Sequence, residues 1–408
     1  VNKSMFKLAG VAVVVGALAL TGCGTRGGSS TSASASAGAS ASADKVAKIG
    51  VIAPLSGDLS ALGLGIKNSV DLAIKQANES KAIPGWTLEL AAEDDQATPD
   101  VGKNAATKLA SDDAVVGVVG TLNSSVAQSV IPVLSAASIA QVSPANTNPS
   151  LTKGEDLANA KRPYANYFRT CTTDAVQGPF AAQYLLEIGI KKVATIHDKK
   201  TYGQGLVENF TTAFKAGGGE IVAAETINPD DKDFSAVVTK VKASSPEAIY
   251  YGGEYPQAGP LSKQAKAAGL NVPLMGGDGI FDGNFIKLGG SAGDLATSVG
   301  APVDTLDSAK AFVEAYKAAG YSEPYAAYGA YAYDAANSII NALKVSLASA
   351  TDAKSARQAT IDAFAKVSFD GATGKVGFDE FGDSVSRVLT VYKVDGTEWK
   401  AEKTGELK

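Results

Sequence analysis

The chain has 408 residues, is 45% hydrophobic and 19% charged, and carries a net charge of −5. An acidic chain with no clustered basic face excludes nucleic acid as a partner. With one histidine, His197, and two cysteines, Cys23 and Cys171, the usual metal sites and acyl-transfer triads lack their side chains, so neither a metal nor a cofactor is expected.

Lys3 and Lys7 precede an apolar run, residues 8–20, which ends in Leu20-Thr21-Gly22-Cys23. At about 1.5 Å per residue the run falls short of the ~30 Å of bilayer hydrocarbon, so residues 1–22 predict an export signal rather than a permanent span. Leu-Thr-Gly-Cys resembles the lipobox of bacterial lipoproteins, which implies lipidation at Cys23. The alternative is an ordinary signal peptide with an incidental cysteine. Residues 24–43 are almost wholly Ser, Ala, Gly and Thr, with no apolar bulk to offset the entropy of ordering, and 23–45 are expected to form a disordered tether. The expected location is extracytoplasmic, on the outer face of the bacterial cell membrane through a lipid anchor. Loss of residues 1–22 removes two lysines and no acid, making the remaining chain more acidic. With Cys23 lipidated, Cys171 has no intramolecular disulfide partner and is read as a small buried hydrophobe.

The remaining ~360 residues exceed one ordinary core and argue for two lobes. Short β-branched runs alternate with longer segments of helical period, the pattern of parallel α/β units. Strands are predicted at 48–53, 87–92, 115–120 and 139–143, with helices at 63–79, 99–111 and 124–137 between them. A second series follows, with strands at 192–197, 220–226, 248–252 and 272–275 and helices at 174–188, 202–216, 234–243 and 257–268. Alanine-rich helices at 307–319, 325–349 and 354–366 and strands at 374–378 and 387–394 close the chain. Neither series has enough helices to cover both faces of its sheet. The late helices are therefore expected to return to the first lobe and the last strand to the second. The resulting architecture is α/β, two doubly wound lobes joined by a multi-crossing hinge: 46–167 with 303–384, and 168–302 with 385–408.

Ligands of open α/β sheets bind beyond the carboxyl ends of the strands. Gly120-Thr121-Leu122-Asn123-Ser124-Ser125 leaves a strand and opens a helix, offering backbone N–H groups and the Ser124 hydroxyl to a carboxylate, or serving only as a helix cap. The loop 143–149, with Ala145 and Thr147, offers more donors or is simply a turn. Tyr202 begins the helix after the His197-Asp198-Lys199 strand end. Glu254 follows Gly252-Gly253, and Asp278 sits in Gly276-Gly277-Asp278-Gly279. An acid among glycines lies close to the backbone, is poorly compensated, and suits an ammonium. The phosphate-binding pattern G-x-x-x-x-G-K-[ST] does not occur, and neither a nucleophile elbow nor a dinucleotide fingerprint is expected. Binding is the expectation, not catalysis.

Six segments in one order carry a resemblance: Ile49-Gly50-Val51-Ile52-Ala53-Pro54-Leu55-Ser56-Gly57, the stretch 142–152, His197-Asp198-Lys199 with Tyr202-Gly203, Lys232-Asp233-Phe234-Ser235, Tyr250-Tyr251-Gly252-Gly253, and Met275-Gly276-Gly277-Asp278-Gly279. Together they resemble the periplasmic leucine/isoleucine/valine-binding proteins, receptor components of ABC importers with the type I periplasmic-binding fold. The resemblance implies that Ser124, Ala145 and Thr147 hold an amino-acid carboxylate, that Asp278 holds the ammonium, and that Tyr202 and Tyr325 line the site. Leu62 stands where well-known members have a tryptophan, and Glu254 where they have a tyrosine, which bears on the ligand side chain. It further implies an ABC permease with its ATPase as partner, a monomer, and a branched-chain or other small amino acid as ligand. A receptor for an amide, urea or aromatic acid, or a sensor coupled to a membrane signalling protein, is the alternative.

Overall fold

The structure, a computed structural model, describes residues 44–407. Cys23, the export segment and nearly all of the tether lie outside the described residues.

Strand β1 (Lys45–Ala53) runs parallel to β2 (Trp86–Asp94) on one side and to β3 (Val115–Gly120) on the other, and β4 (Ala140–Ser143) and β5 (Tyr167–Arg169) extend the sheet in parallel. The order is β2-β1-β3-β4-β5. Helices α1 (Ser60–Glu79), α2 (Pro99–Ser111) and α3 (Ser124–Ala136) make the first crossovers, and the single turn α4 (Ser150–Lys153) follows β4. In α1 the buried Leu62, Ile66, Val70, Ala73 and Ala77 recur at helical spacing and form one stripe. Every residue of β3 is buried, as a parallel strand covered on both faces requires. Successive side chains serve opposite faces: Ile52 and Val118 pack with Leu109 and Val130 of α2 and α3, while Val51 and Val119 pack with Ile66 of α1.

The second sheet has the order β14-β13-β10-β9-β8-β6-β7. After α5 (Asp174–Glu187), the strands β6 (Lys192–His197), β7 (Glu220–Thr226), β8 (Ala248–Gly252), β9 (Leu274–Gly276) and β10 (Leu295–Val299) are parallel. They are linked by α6 (Thr201–Ala216), α7 (Ser235–Ala243), α8 (Tyr255–Ala267) and α9 (Gly283–Leu288). Tyr250 turns to α6, its ring stacked on Phe210 with centroids 3.7 Å apart, and Ile249 and Tyr251 turn to the opposite face with Val238 and Leu261.

Beyond β10 the chain returns to the first sheet. It passes α10 (Lys310–Ala318) and then α11 (Gly329–Ser346), which packs on α1, β3 and β4, with Ile339 against Gly117, where a Cβ would collide with it. Helix α12 (Arg357–Ala363) lies between two 3-10 turns, and β11 (Ser368–Gly371) pairs with β12 (Gly374–Gly377) as a separate hairpin. The chain then crosses again, so that β13 (Val388–Asp395) joins β10 antiparallel and β14 (Glu398–Glu406) closes the edge. The late helices and last strands thus go where the shortage of covering helices predicts. The second sheet is mixed rather than wholly parallel, and β5, β10, α9, β11 and β14 are additions to the sequence-based set.

Candidate ligand-binding site

The loops beyond β3 and β4 of the first sheet meet those beyond β6, β8 and β9 of the second around one small cavity. Five of the eight expected residues line it: Leu62, Ala145, Tyr202, Glu254 and Asp278. Leu122, Asn123 and Tyr328 line it as well. Its free volume is about 10 Å³, room for one water molecule, because the lining side chains bond to one another.

Asp278 is 1% exposed and is far from poorly compensated, contrary to the expectation for an acid among glycines. Its Oδ1 accepts from Tyr202 Oη and from Gln177 Nε2, both at 2.8 Å, and its Oδ2 accepts from Tyr328 Oη at 2.8 Å. Its own N–H donates to Gln177 Oε1 at 2.9 Å, and Tyr202 Oη accepts the Gly279 N–H at 3.0 Å. All three side-chain donors are neutral, and among the described residues no cation pairs with Asp278. Burial raises its pKa, against the hydrogen bonds from Gln177, Tyr328 and Tyr202. A cationic group beside it would favour the charged form.

Glu254 faces the cavity at 4% exposure. Asn123 Nδ2 donates to its Oε1 at 2.7 Å, linking the two sheets' loops, and Lys200 Nζ donates to its Oε2 at 2.9 Å. Burial pushes Glu254 up, but the Lys200 ammonium and these hydrogen bonds outweigh it and leave the carboxylate below its usual range. Asp198 moves the other way, pushed up to about 8 by burial and then by the charge of Glu254. The two neighbouring acids are thus pushed in opposite directions, Glu254 down by Lys200 and Asp198 up by burial and the Glu254 charge.

Ser124 and Thr147 are both buried, and neither hydroxyl has a hydrogen-bond partner. Thr147 is close enough to Asp174 to oppose the burial that raises that carboxyl, yet neither group makes a hydrogen bond of good geometry. The N-cap of α3 is Asn123, with no side-chain capping bond, so Ser124 is not engaged as a cap. The Ala145 N–H donates to Ser143 Oγ at 3.1 Å. Arg169, fully buried, holds this loop from behind: its Nη1 donates to the Asn146 and Asn148 carbonyls at 2.7 and 2.9 Å, and its Nε to Asp383 at 2.7 Å.

Tyr325 lies elsewhere. It lines a separate cavity of about 560 Å³ with Tyr392 and Trp399, and its hydroxyl donates to Asp304 at 2.7 Å. Tyr328 is the aromatic that reaches the central cavity, and it escaped the sequence reading, as did Asn123, Lys200 and Gln177. Asn123 and Lys200 carried a signal, since Asn123 lies inside the strand-end segment 120–125 and Lys200 directly follows His197-Asp198-Lys199; Gln177 carried none. Cys171 is fully buried, with burial raising its thiol pKa. Two enzyme-like letter patterns do occur, contrary to expectation. Gly289-Gly290-Ser291-Ala292-Gly293 spells G-x-S-x-G but precedes a strand instead of leaving one, and Ser291 Oγ donates to the Gly289 carbonyl at 3.3 Å. Gly22-Cys23-Gly24-Thr25-Arg26-Gly27 spells G-x-G-x-x-G and lies outside the described residues.

A two-sheet α/β body with its polar cavity at the strand ends matches the periplasmic binding protein family model over residues 46–401. The chain belongs to this family. Among relatives of this periplasmic binding protein, the Leu/Ile/Val-binding protein BraC3 of Rhizobium johnstonii is 34% identical over 363 residues, 87% of this chain and 92% of the relative. The Leu/Ile/Val-binding protein homolog 3 of Brucella melitensis is 35% identical over 354 residues, covering 85% and 91%. The branched-chain amino acid transporter substrate-binding protein LivJ of Streptococcus pneumoniae, solved in complex with isoleucine, superposes with a TM-score of 0.78 at 28% identity, covering 89% of this chain and all of that one. The family is one of extracytoplasmic solute-binding proteins, and its fold is the type I periplasmic-binding fold. Among the described residues no helix is long and apolar enough to cross a membrane.

Proposed function

We propose that this protein is the lipid-anchored receptor of an ABC importer, which closes two lobes over a branched-chain or other small α-amino acid and delivers it to the permease. The lobes are 46–167 with 303–384 and 168–302 with 385–408. Ser124 and Thr147, with backbone donors near Ala145, take the carboxylate; Asp278, steadied by Tyr202 and Tyr328, takes the ammonium. One observation carries the reading. Two buried hydroxyls without partners lie on the first-sheet loops, and a buried acid without a cation lies on a second-sheet loop. Those are complementary demands at the two ends of a zwitterion. Closure removes water from both ends, which strengthens each contact and gives the permease a shape distinct from the open form.

Calorimetric titration tests it. The parent should bind an α-amino acid at least tenfold more tightly than the amine lacking its carboxylate, and Ser124→Ala with Thr147→Ala should narrow that gap. Asp278→Asn should abolish measurable amine or amino-acid binding. Equal affinity for amino acid and amine, or undiminished binding by Asp278→Asn, refutes the assignment.

A further inference from the structure

At the end of the cavity away from Asp278, hydrogen-bonding groups outnumber their partners. Asn123 is 3% exposed, and its Oδ1 accepts nothing while its Nδ2 is committed to Glu254. Asp198 is fully buried beside Glu254, the two carboxyls sharing a side-chain hydrogen bond, with Lys200 Nζ 3.9 Å from its Oδ2. Leu62 and Leu122 form apolar wall beside this polar end. Glu254 also lines a second cavity of about 460 Å³, together with Lys200, Ser56, Gln96, Thr98 and Gln257. Glu254 therefore lies between the two cavities, with Asn123 on the small side and Lys200 on the large one.

We infer that Asn123, Glu254 and Lys200 form a specificity subsite for an α-amino acid whose side chain ends in a primary carboxamide. The inference rests on the α-amino-acid reading proposed above and narrows it. A carboxamide supplies N–H donors for Asn123 Oδ1 and for Glu254, and a carbonyl that accepts from Lys200 or from the released Asn123 Nδ2. An aliphatic side chain of the same shape would cover these groups and leave them desolvated and unpaired, a loss that buried polar sites use to reject apolar analogues. A cationic side chain is no better suited. Lys200 already balances Glu254, and Asp198, held up at about 8, has little charge to offer at neutral pH. A second cation would enter beside the first without a free anion. The methylenes of the ligand would rest against Leu62 and Leu122.

Titration calorimetry on the parent with asparagine and its isostere leucine, glutamine and its near-isostere methionine, and lysine decides the matter. The two amide arms distinguish the length of side chain the subsite accepts. At least one amide should bind ten times or more as tightly as its apolar counterpart and as lysine. Asn123→Leu and Glu254→Gln should each reduce that ratio severalfold. Ratios measured within one variant do not depend on its overall affinity, and the more conservative Glu254→Gln serves if Asn123→Leu does not fold. Leucine and methionine binding as tightly as their amide counterparts, lysine binding best, or a ratio unmoved in both variants overturns the subsite and leaves the amino-acid reading standing. Failure of all five amino acids, and of alanine titrated as a minimal control, overturns that reading and the subsite with it.

Discussion

Asp95 shows how one buried acid makes this fold sensitive to pH. It is fully buried just beyond β2, with Oδ1 accepting the Ala97 N–H at 2.8 Å and Oδ2 unpartnered. Burial first, and the neighbouring Asp94 charge after it, raise its pKa to about 7, against the bond from Ala97. The folded chain thus holds this proton more tightly than the unfolded chain, whose aspartates titrate near ~3.9. The stabilising contribution is full below that value, declines as pH rises, and is gone once pH passes about 7. Its ceiling is roughly 4 kcal/mol, from three pKa units at about 1.4 kcal/mol each. Asp95→Asn keeps the acceptor for Ala97 and removes the charge. The variant should be more stable than the parent at pH 8, by on the order of 1–4 kcal/mol, and should lose that advantage toward pH 4. Urea unfolding at the two pH values measures it; a constant difference would mean that Asp95 titrates alike in the folded and unfolded chains.

At the scale of elements, the carboxylate loop after β4 is held from the hinge. Arg169 ends β5, where the chain leaves the first sheet, and Asp383 lies on the last crossing before β13. Its guanidinium joins that crossing to the Asn146 and Asn148 carbonyls, and its Nη2 reaches Thr152 Oγ1 at 2.5 Å. The backbone is tied in parallel, since the Arg169 N–H donates to the Gly382 carbonyl at 3.0 Å. Arg169→Met would strand two carbonyls in a dry interior and leave Asp383 only Lys153 Nζ, 3.6 Å from its Oδ2. Removing one partner of a buried pair costs about 3–5 kcal/mol, and the variant should lose about that much in urea unfolding. Asp383→Asn added to Arg169→Met should recover part of it. A loss below 1 kcal/mol would show that water replaces the guanidinium and that Arg169 does not anchor this loop.

At the scale of the whole molecule, the two sets of loops are bridged across the cleft at several points. Asn123 bonds Glu254, Thr201 Oγ1 donates to Gln128 Oε1 at 2.9 Å, and Asn148 Nδ2 donates to the Thr201 carbonyl at 2.9 Å. These are bonds a closed receptor makes and an open one gives up to water, so ligand need supply only the difference between the two states. The proposed delivery also depends on where the receptor is held. One acyl chain binds a membrane only marginally, whereas several hold it stably. Cys23→Ala should therefore move the protein from the membrane fraction to the medium or periplasm and abolish labelling by a radioactive fatty acid. A parent protein that takes up no label, or a variant that stays with the membrane, would rule out the anchor.

The sequence by itself determined the α/β series, because apolar period and strand-end glycines are local properties. The bounds of β3, α2, β6, β7 and β8 match their predictions for that reason. Strand-end reasoning also singled out Tyr202, Glu254 and Asp278, and the family resemblance added Leu62 and Ala145; these five share one cavity. Elements with weak local signals escaped the sequence reading: β5 is three residues long, β10 reads Leu-Ala-Thr-Ser-Val, and β14 is a charged, largely exposed edge. Tertiary structure alone decided between Tyr325 and Tyr328. In one continuous helix the two would share a face, but α11 starts only at Gly329 and Ala326 turns the backbone at φ +51° between them, so one reaches Asp278 and the other Asp304. Tertiary structure likewise brought Gln177 to Asp278 and Asn123 to Glu254, 101 and 131 residues apart in sequence. Pairings of that span arise from how the two sheets meet, and no periodicity within either segment encodes them.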